Sequence, residues 1–301
     1  MPAYRCICTG LFICLSTLLI PAELSAHSGP DKKQLKKIIR EFLSDSLLKH
    51  ASVGFVLQDL ETGRPIYAVD ADRSLVPAST QKIISTALAL YVLGPDFRYR
   101  TPVLLNGTAD PDGSFNGNLL AIGSGDPSFA SESMPGAVNF ESLALQIYEA
   151  LQRKGINHIN GRIIVDRQFI RDVPENAEWL WYDLGNYYGA GCFALNFMEN
   201  QARISLRAAQ QDEGTCEIFR VQPEPLTALY QSKVKGLSAI GSSDVYVLGS
   251  SLQTRHEIHG FWKCCSRDTL MIRSAIPDPA GLFESMLKAE LVRKGMLFSD
   301  K

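Results

Sequence analysis

The middle of the chain, residues 100–262, constrains the fold most, because short apolar segments alternate there with turn-forming residues. The segment 119–122 runs into Gly-Ser-Gly-Asp-Pro at 123–127, and a second apolar segment occupies 162–165. Apolar segments of this length, bounded by Gly, Pro, Asn and Asp, are typical of β-strands joined by tight turns. We therefore predict a mostly β region, interrupted by one helix at 140–153.

Helical patterns flank this region on both sides. Apolar residues recur at three-to-four spacing near the start, where Asp31 is a candidate N-cap, and Gly or Gly-Pro follows the later helical runs. The predicted elements are, in chain order, a helix at 31–50, a β-hairpin with strands at 52–60 and 65–69, a buried helix from Pro77 to Gly94-Pro95, a strand at 271–276 and a helix at 282–293.

The first 26 residues have the layout of a secretory signal. Arg5 precedes a mostly apolar stretch at 7–20, and Pro21 and small residues lead to Ala26, after which we expect cleavage. An uncleaved N-terminal anchor is the alternative for this segment. Because no second apolar run of membrane-spanning length follows, we expect the chain to act in the periplasm or elsewhere outside the cytoplasm.

Charge and cysteine content narrow the possible partners. The 30 basic and 32 acidic residues give a net charge of -2, which does not favour nucleic acid as a partner. Four cysteines follow the signal and permit one or two disulfides in an exported chain; we favour Cys192 with Cys216. Cys264 and Cys265 are expected to pair with other residues rather than with each other. Because zinc-ligand spacing is missing, we predict no metal and no cofactor.

Ser-x-x-Lys is the chemically informative motif, because this spacing places a hydroxyl and an amine on one helix face. It occurs at Ser46/Lys49, Ser79/Lys82, Ser232/Lys235 and Ser285/Lys288. Ser79 alone opens a strongly apolar helix, where free backbone N–H groups and the helix dipole favour a developing oxyanion. Burial of that helix is expected to exclude water from Lys82, which favours a neutral amine. The alternative is that Ser79 caps the helix while Lys82 faces solvent.

Residues 75–101, LVPASTQKIISTALALYVLGPDFRYRT, resemble the active-serine segment of a known peptidase family. That family is the D-alanyl-D-alanine carboxypeptidases/endopeptidases, the class C low-molecular-mass penicillin-binding proteins of peptidase family S13. Three further segments, IGSGDPSF at 122–129, GRIIVDRQF at 161–169 and WYDLGNYYGAGCFALNFMEN at 181–200, are also similar, as is 276–295. The resemblance covers the chain from about residue 31 to the end.

The resemblance implies a fold of the α/β (α+β) class, namely the penicillin-binding, β-lactamase-like transpeptidase fold with a large, mostly β insert. The chain then divides into a signal peptide at 1–26, an acyl-transferase domain of 27–95 and 268–301, and inserted domains at 96–267.

The same resemblance implies a two-step acyl transfer on peptidoglycan stem peptides. Ser79 would attack the carbonyl of a D-Ala-D-Ala bond with Lys82 as general base, and β-lactams would acylate Ser79 as substrate mimics. Asp166 is a candidate contact to the peptide stem, with a strand-end turn role as the alternative.

Two further motifs of such enzymes, Ser-x-Asn and Lys-Thr-Gly, are expected after the insert. The only Ser-x-Asn is Ser114-Phe115-Asn116, inside the insert, and Lys-Thr-Gly does not occur. We therefore interpret the chain as a C-terminally truncated family member with an incomplete fold. Losing a general acid-base partner costs about 10²- to 10⁴-fold and losing an oxyanion donor about 10²- to 10³-fold, so we expect weak or no activity.

Other function classes fit the sequence less well. A non-catalytic truncated homologue that binds cell wall or a partner protein is the main alternative. A serine β-lactamase usually lacks so long an insert before its second motif. A Ser-His-Asp hydrolase would need a Gly-x-Ser-x-Gly elbow, which is missing from the sequence.

Overall fold

A computed structural model describes residues 31–170 and 173–299. The chain divides between Pro95 and Asp96 into two units. The predicted signal peptide at 1–26 lies outside the described residues. None of the described helices is long and apolar enough to cross a membrane.

In residues 31–95, the described part of the first unit, two α-helices flank a hairpin. Its elements are α1 (Lys32–Leu43), β1 (Phe55–Gln58), β2 (Pro65–Val69) and α2 (Gln81–Leu93). The Asp31 side chain accepts a hydrogen bond from the Lys33 amide at 3.1 Å, which confirms the predicted N-cap. The helix predicted to reach residue 50 ends earlier, because Asp45 caps a separate 3-10 turn at 46–48.

The predicted hairpin is confirmed, but the predicted burial of α2 is wrong in this structure. β1 and β2 pair antiparallel, with Phe55 opposite Val69. All 13 residues of α2 are exposed, and Ile83 retains 70% of its accessible surface. The described elements of the first unit are too few to cover the apolar side chains of this helix.

The second unit is mostly β, as the sequence predicts, and α3 has the predicted bounds. Its elements are β3 (Val103–Ala109), β4 (Ser114–Ile122), α3 (Phe140–Arg153), β5 (His158–Asn160), β6 (Ile163–Asp166), α4 (Trp181–Leu184), β7 (Gln201–Arg207), β8 (Glu217–Gln222), β9 (Tyr230–Ser232), β10 (Lys235–Leu237), β11 (Asp244–Leu248), β12 (His256–Lys263), β13 (Thr269–Ala275), α5 (Pro279–Arg293) and β14 (Leu297–Ser299).

These strands form three sheets. The first has the order β14-β5-β4-β3, with β6 also paired to β4. The second has the order β13-β7-β8, and the third has the order β10-β12-β11 with β9 beside β12.

The division of the chain near residue 95 coincides with a predicted boundary. Residues 269–299 pack within the second unit through the β13–β7 and β14–β5 pairings, so their assignment to the catalytic domain stays a prediction.

Helix α5 supplies the centre of the second unit's core. Phe283 is fully buried, and its ring meets those of Phe129 and Phe197 edge-on, at centroid distances of 5.3 and 5.5 Å. Glu284 accepts a hydrogen bond from the Val165 amide of β6 at 2.8 Å. The aromatic contacts join the segment after β4 to the segment before β7, so α5 connects the first and second sheets.

His256 at the start of β12 is a buried titratable group. Its ring is 1% exposed, and its Nε2 lies 3.1 Å from the Ser250 carbonyl oxygen. Its Nδ1 is buried without a hydrogen-bond partner in the described part of the chain. Burial lowers the pKa of His256, while the Ser250 hydrogen bond and the charge of Glu175 oppose that shift. The ring of Tyr230 faces it edge-on at 5.9 Å. The histidine is therefore held in its neutral form.

Replacement of Phe283 by alanine is expected to destabilise the second unit by about 3–5 kcal/mol, because it leaves a cavity beside the rings of Phe129 and Phe197. Trp179, Trp181 and Trp262 all lie in this unit, so tryptophan fluorescence during urea unfolding follows it selectively. Val292→Ala on the exposed side of α5 is the matched control and should cost less than about 1 kcal/mol. Equal losses in the two variants would contradict the assigned core.

The second unit is also expected to lose stability as the pH falls below about 6.5. Below this pH the His256 imidazole is protonated in the unfolded chain but stays neutral in the folded chain. The free energy of unfolding therefore drops by up to about 1.4 kcal/mol per pH unit. Fluorescence-monitored urea unfolding between pH 7.5 and 5 should show a shallower slope for His256→Gln. His158→Gln, which changes a half-buried histidine, should keep the wild-type slope, and an unchanged slope in His256→Gln would refute the explanation.

Candidate active site

Ser79 lies in a 3-10 turn at 78–80, immediately before α2 rather than within its first turn. The Thr80 amide donates to the Pro77 carbonyl oxygen at 3.0 Å, and the Thr80 hydroxyl donates to the same oxygen. Ala78 has a φ of 44°, a left-handed conformation that costs a residue with a Cβ about 1–2 kcal/mol. Backbone strain of this kind is concentrated at functional sites. The sequence analysis did not identify Ala78, since alanine carries no turn signal.

The Lys82 side chain donates a hydrogen bond to the Ser79 hydroxyl, with Nζ 3.0 Å from Oγ. Lys82 is the second residue of α2, and its carbonyl oxygen accepts a hydrogen bond from the Thr86 hydroxyl at 2.7 Å. The distance is within the range required for proton transfer between a nucleophile and its base. Lys82 is therefore the hydrogen-bond partner of the Ser79 hydroxyl. Both residues are exposed to solvent.

The other three Ser-x-x-Lys pairs have a different geometry. The Ser285 hydroxyl donates to the Leu282 carbonyl oxygen at 2.9 Å, and Ser232 accepts a long hydrogen bond from a backbone amide two residues later. Within the described ranges, Ser79 and Lys82 form the one Ser-x-x-Lys pair with hydrogen-bonded side chains. The fold therefore distinguishes four pairs whose spacing in the sequence is the same.

Asp166 lies in the second unit, at the last position of β6. Its Oδ1 accepts a hydrogen bond from the Gln168 amide at 2.9 Å, and its carbonyl oxygen accepts one from the Gly123 amide at 3.1 Å. The first bond closes the turn after the strand, as expected for a strand-end turn residue, and the second continues the pairing of β6 with β4. A contact between Asp166 and a peptide stem stays a prediction.

The single Ser-x-Asn sequence begins β4 in the second unit. Its asparagine forms hydrogen bonds with residues of a neighbouring turn and strand. The Asn116 side-chain amide donates to Asp110 at 2.6 Å, while its oxygen accepts a hydrogen bond from Asn160 at 3.0 Å. Asn116 therefore has an evident structural role. No group of three or more His, Cys, Asp or Glu side chains in residues 31–170 and 173–299 is placed to hold a metal ion.

The predicted Cys192–Cys216 disulfide is not formed in this structure, in which Cys192, Cys216, Cys264 and Cys265 are free. Cys192 lies in an exposed loop, where its amide donates to the Pro174 carbonyl oxygen. Cys216 is fully buried, and burial raises the pKa of its thiol. The structure therefore does not form the pairing predicted from the cysteine count: one of the two thiols is exposed and the other lies in the core.

Residues 35–301 match the sequence pattern of a family described as the D-Ala-D-Ala carboxypeptidase 3 (S13) family. The chain belongs to this family. The match covers both units, and its beginning lies within α1, so the predicted family is confirmed.

Two curated relatives are similar to parts of the chain. D-alanyl-D-alanine carboxypeptidase DacB of Haemophilus influenzae is 25% identical over 158 residues, which are 52% of this chain and 31% of that protein. D-alanyl-D-alanine carboxypeptidase of Actinomadura sp. strain R39 is 33% identical over 172 residues, which are 57% of this chain and 30% of that protein. The S13-family chain thus spans less than a third of each relative's length in these alignments.

Solved structures show the same fold. The crystal structure of penicillin binding protein 4 (dacB) from Haemophilus influenzae matches with a TM-score of 0.65 at 21% identity, covering 82% of this chain and 52% of that one. A second crystal structure of that protein, complexed with a novel β-lactam, matches with a TM-score of 0.57 at 19% identity, covering 84% and 53%. The predicted α+β fold of the penicillin-binding type is confirmed.

Thiol labelling tests the placement of the cysteines. We expect iodoacetamide to alkylate Cys192 and Cys265 of the native protein within minutes, because both are exposed, and Cys216 and Cys264 only after denaturation. Peptide mapping by mass spectrometry, with and without prior reduction, identifies the labelled residues. Labelling of Cys192 only after reduction would restore the disulfide prediction.

Proposed function

We propose that this S13-family protein is an exported, serine-type D-Ala-D-Ala carboxypeptidase or endopeptidase that acts on peptidoglycan stem peptides. The observation that carries the proposal is the 3.0 Å hydrogen bond between Lys82 and Ser79, in a chain that belongs to this family. Both curated relatives are D-alanyl-D-alanine carboxypeptidases, which supports the reaction. The β-lactam bound to the structural relative supports β-lactams as covalent inhibitors.

In the proposed reaction, the Ser79 oxygen attacks the carbonyl carbon between the two D-alanines. Lys82, as the neutral amine, accepts the hydroxyl proton as the new C–O bond forms. The proton then passes to the nitrogen of the departing D-alanine as the C–N bond breaks. Water attacks the resulting ester, releases the shortened peptide and restores the Ser79 hydroxyl.

The start of α2 contributes to this chemistry electrostatically. The helix dipole adds partial positive charge at the N-terminal end of a helix. The dipole carries the contribution here, since the Gln81 amide already donates to the Ala78 and Ser79 carbonyl oxygens. Ser79 lies directly before this end of α2. Negative charge that develops on the attacked carbonyl oxygen is therefore stabilised near Ser79.

Exposure of the pair limits the expected rate. Desolvation favours the neutral amine that a general base requires, yet α2 is exposed along its whole length. The 301 residues also contain no Lys-Thr-Gly, and their only Ser-x-Asn lies in β4. We therefore propose that this chain by itself acylates slowly.

Location outside the cytoplasm follows from the same proposal. The substrate belongs to the cell wall, and the apolar stretch at 7–20 with Arg5 before it has the layout of an export signal. Cleavage after Ala26 would release the protein into the periplasm.

Acylation by benzylpenicillin tests the proposed nucleophile. We expect intact-protein mass spectrometry to show an adduct that accumulates over hours, and peptide mapping to place it on Ser79. The adduct should be absent from Ser79→Ala and should form about 10²-fold or more slowly in Lys82→Ala, because the general base is lost.

Ser285→Ala, which alters another Ser-x-x-Lys pair, is the matched control and should acylate like the wild type. Circular dichroism of each variant establishes that it is folded. An adduct that persists in Ser79→Ala would refute the nucleophile. If the folded wild-type chain forms no adduct, it lacks the proposed activity, and the non-catalytic alternative is favoured.

A further inference from the structure

Three arginines share one exposed face of the β13-β7-β8 sheet, which we call the arginine face: Arg203, Arg220 and Arg273. Arg203 on β7 lies directly opposite Arg273 on β13, and Arg220 on β8 lies opposite Ser205. Directly paired residues point to the same side of a sheet, and so do residues two apart on a strand. The intervening residues of β7, Ala202, Ile204 and Leu206, are buried on the other face.

Two of the three guanidinium groups on the arginine face, those of Arg220 and Arg273, have no carboxylate partner in the described ranges. Arg203 pairs with Glu132 at 3.1 Å. Arg273 lies over the Tyr187 ring at 3.7 Å, and its hydrogen bond to the Gln201 oxygen is long, at 3.4 Å. In the described ranges, Arg220 has no hydrogen-bond or ion-pair partner. Because like charges directly opposite on neighbouring strands destabilise a sheet, this face is suited to a ligand that supplies negative charge.

The arginine face forms one wall of a cleft of about 940 Å³, a volume within the usual range for ligand sites. Apolar side chains also line the cleft, namely Phe140, Met198, Met271 and Met286. The cleft therefore combines guanidinium groups with apolar and flexible contact surface.

Carboxylates also line this cleft, and they restrict the ligand. The lining has five glutamates and four arginines, and two of the glutamates are paired with arginine: Glu132 with Arg203, and Glu290 with Arg293 at 2.7 Å. Glu199 accepts a hydrogen bond from the Ser131 hydroxyl. Glu141 and Glu224 are the other two carboxylates that line the cleft. They repel a ligand of high negative charge density, such as a phosphate chain, more strongly than one with separated single charges.

We propose that the cleft binds a peptide with at least two separated carboxylates, which the guanidinium groups of Arg220 and Arg273 bind. Guanidinium binds carboxylate through two parallel hydrogen bonds, which favours this pairing over a lysine contact. The apolar lining then accommodates the aliphatic part of the peptide. This binding site is separate from the chemistry proposed for Ser79 and does not depend on it.

Fluorescence anisotropy with the full chain and fluorescein-labelled Glu-Leu-Glu tests the proposal, with Gln-Leu-Gln as the uncharged probe. We expect the acidic peptide to bind and the uncharged peptide to bind at least tenfold more weakly. Arg220→Gln and Arg273→Gln should each raise Kd about tenfold, as expected for the loss of a charged hydrogen bond. Arg220→Lys should recover part of the affinity, and 0.5 M salt should weaken binding.

Arg162→Gln removes an exposed arginine that does not line the cleft and should leave Kd unchanged. Circular dichroism confirms that the variants fold. Equal binding of the two peptides, unchanged Kd in both cleft variants, or no binding of the acidic peptide would overturn the proposal. Tighter binding of tripolyphosphate than of the acidic peptide would assign the cleft to phosphate and overturn it as well.

Discussion

Burial of one side of α5 is the contact on which the second unit depends. Phe283, Leu287 and Leu291 are fully buried, and Phe283 contacts aromatic rings that belong to segments beside two different sheets. The hydrogen bond from the Val165 amide to Glu284 fixes the helix against β6. Without this helix, apolar side chains of the core that it shares with α3 and the sheets would be exposed to water.

The Ser79–Lys82 pair depends on much less of the structure. A three-residue separation at the start of a helix allows the two side chains to come within 3.0 Å, and no contact from the rest of the chain is needed to hold them there. Proton transfer, however, requires a low-dielectric surrounding as well as proximity, and α2 is exposed. The geometry of the candidate site is therefore local, whereas its reactivity depends on how much of α2 is covered.

Local rules predicted many of the elements. The Asp31 cap, the hairpin and the helix at 140–153 follow from capping, turn chemistry and apolar spacing. The same rules predicted a buried α2 and a Cys192–Cys216 pair, both of which the structure contradicts. Apolar periodicity predicts that one face of a helix will be buried, but it does not identify the residues that cover this face. A cysteine count gives no distances between the thiols.

By itself, the sequence determined the family, the Ser-x-x-Lys pair and most of the secondary structure, because each depends on residues close together in the chain. The folded structure showed that Ser79–Lys82 is the hydrogen-bonded pair among four, through the local turn at 78–80. Tertiary packing decided that Cys216 is inaccessible and that Arg203 lies opposite Arg273. The alternation along β7 indicates which residues share a face. The pairing of β7 with β13 depends on contacts between residues about 70 positions apart. No local sequence pattern specifies such contacts.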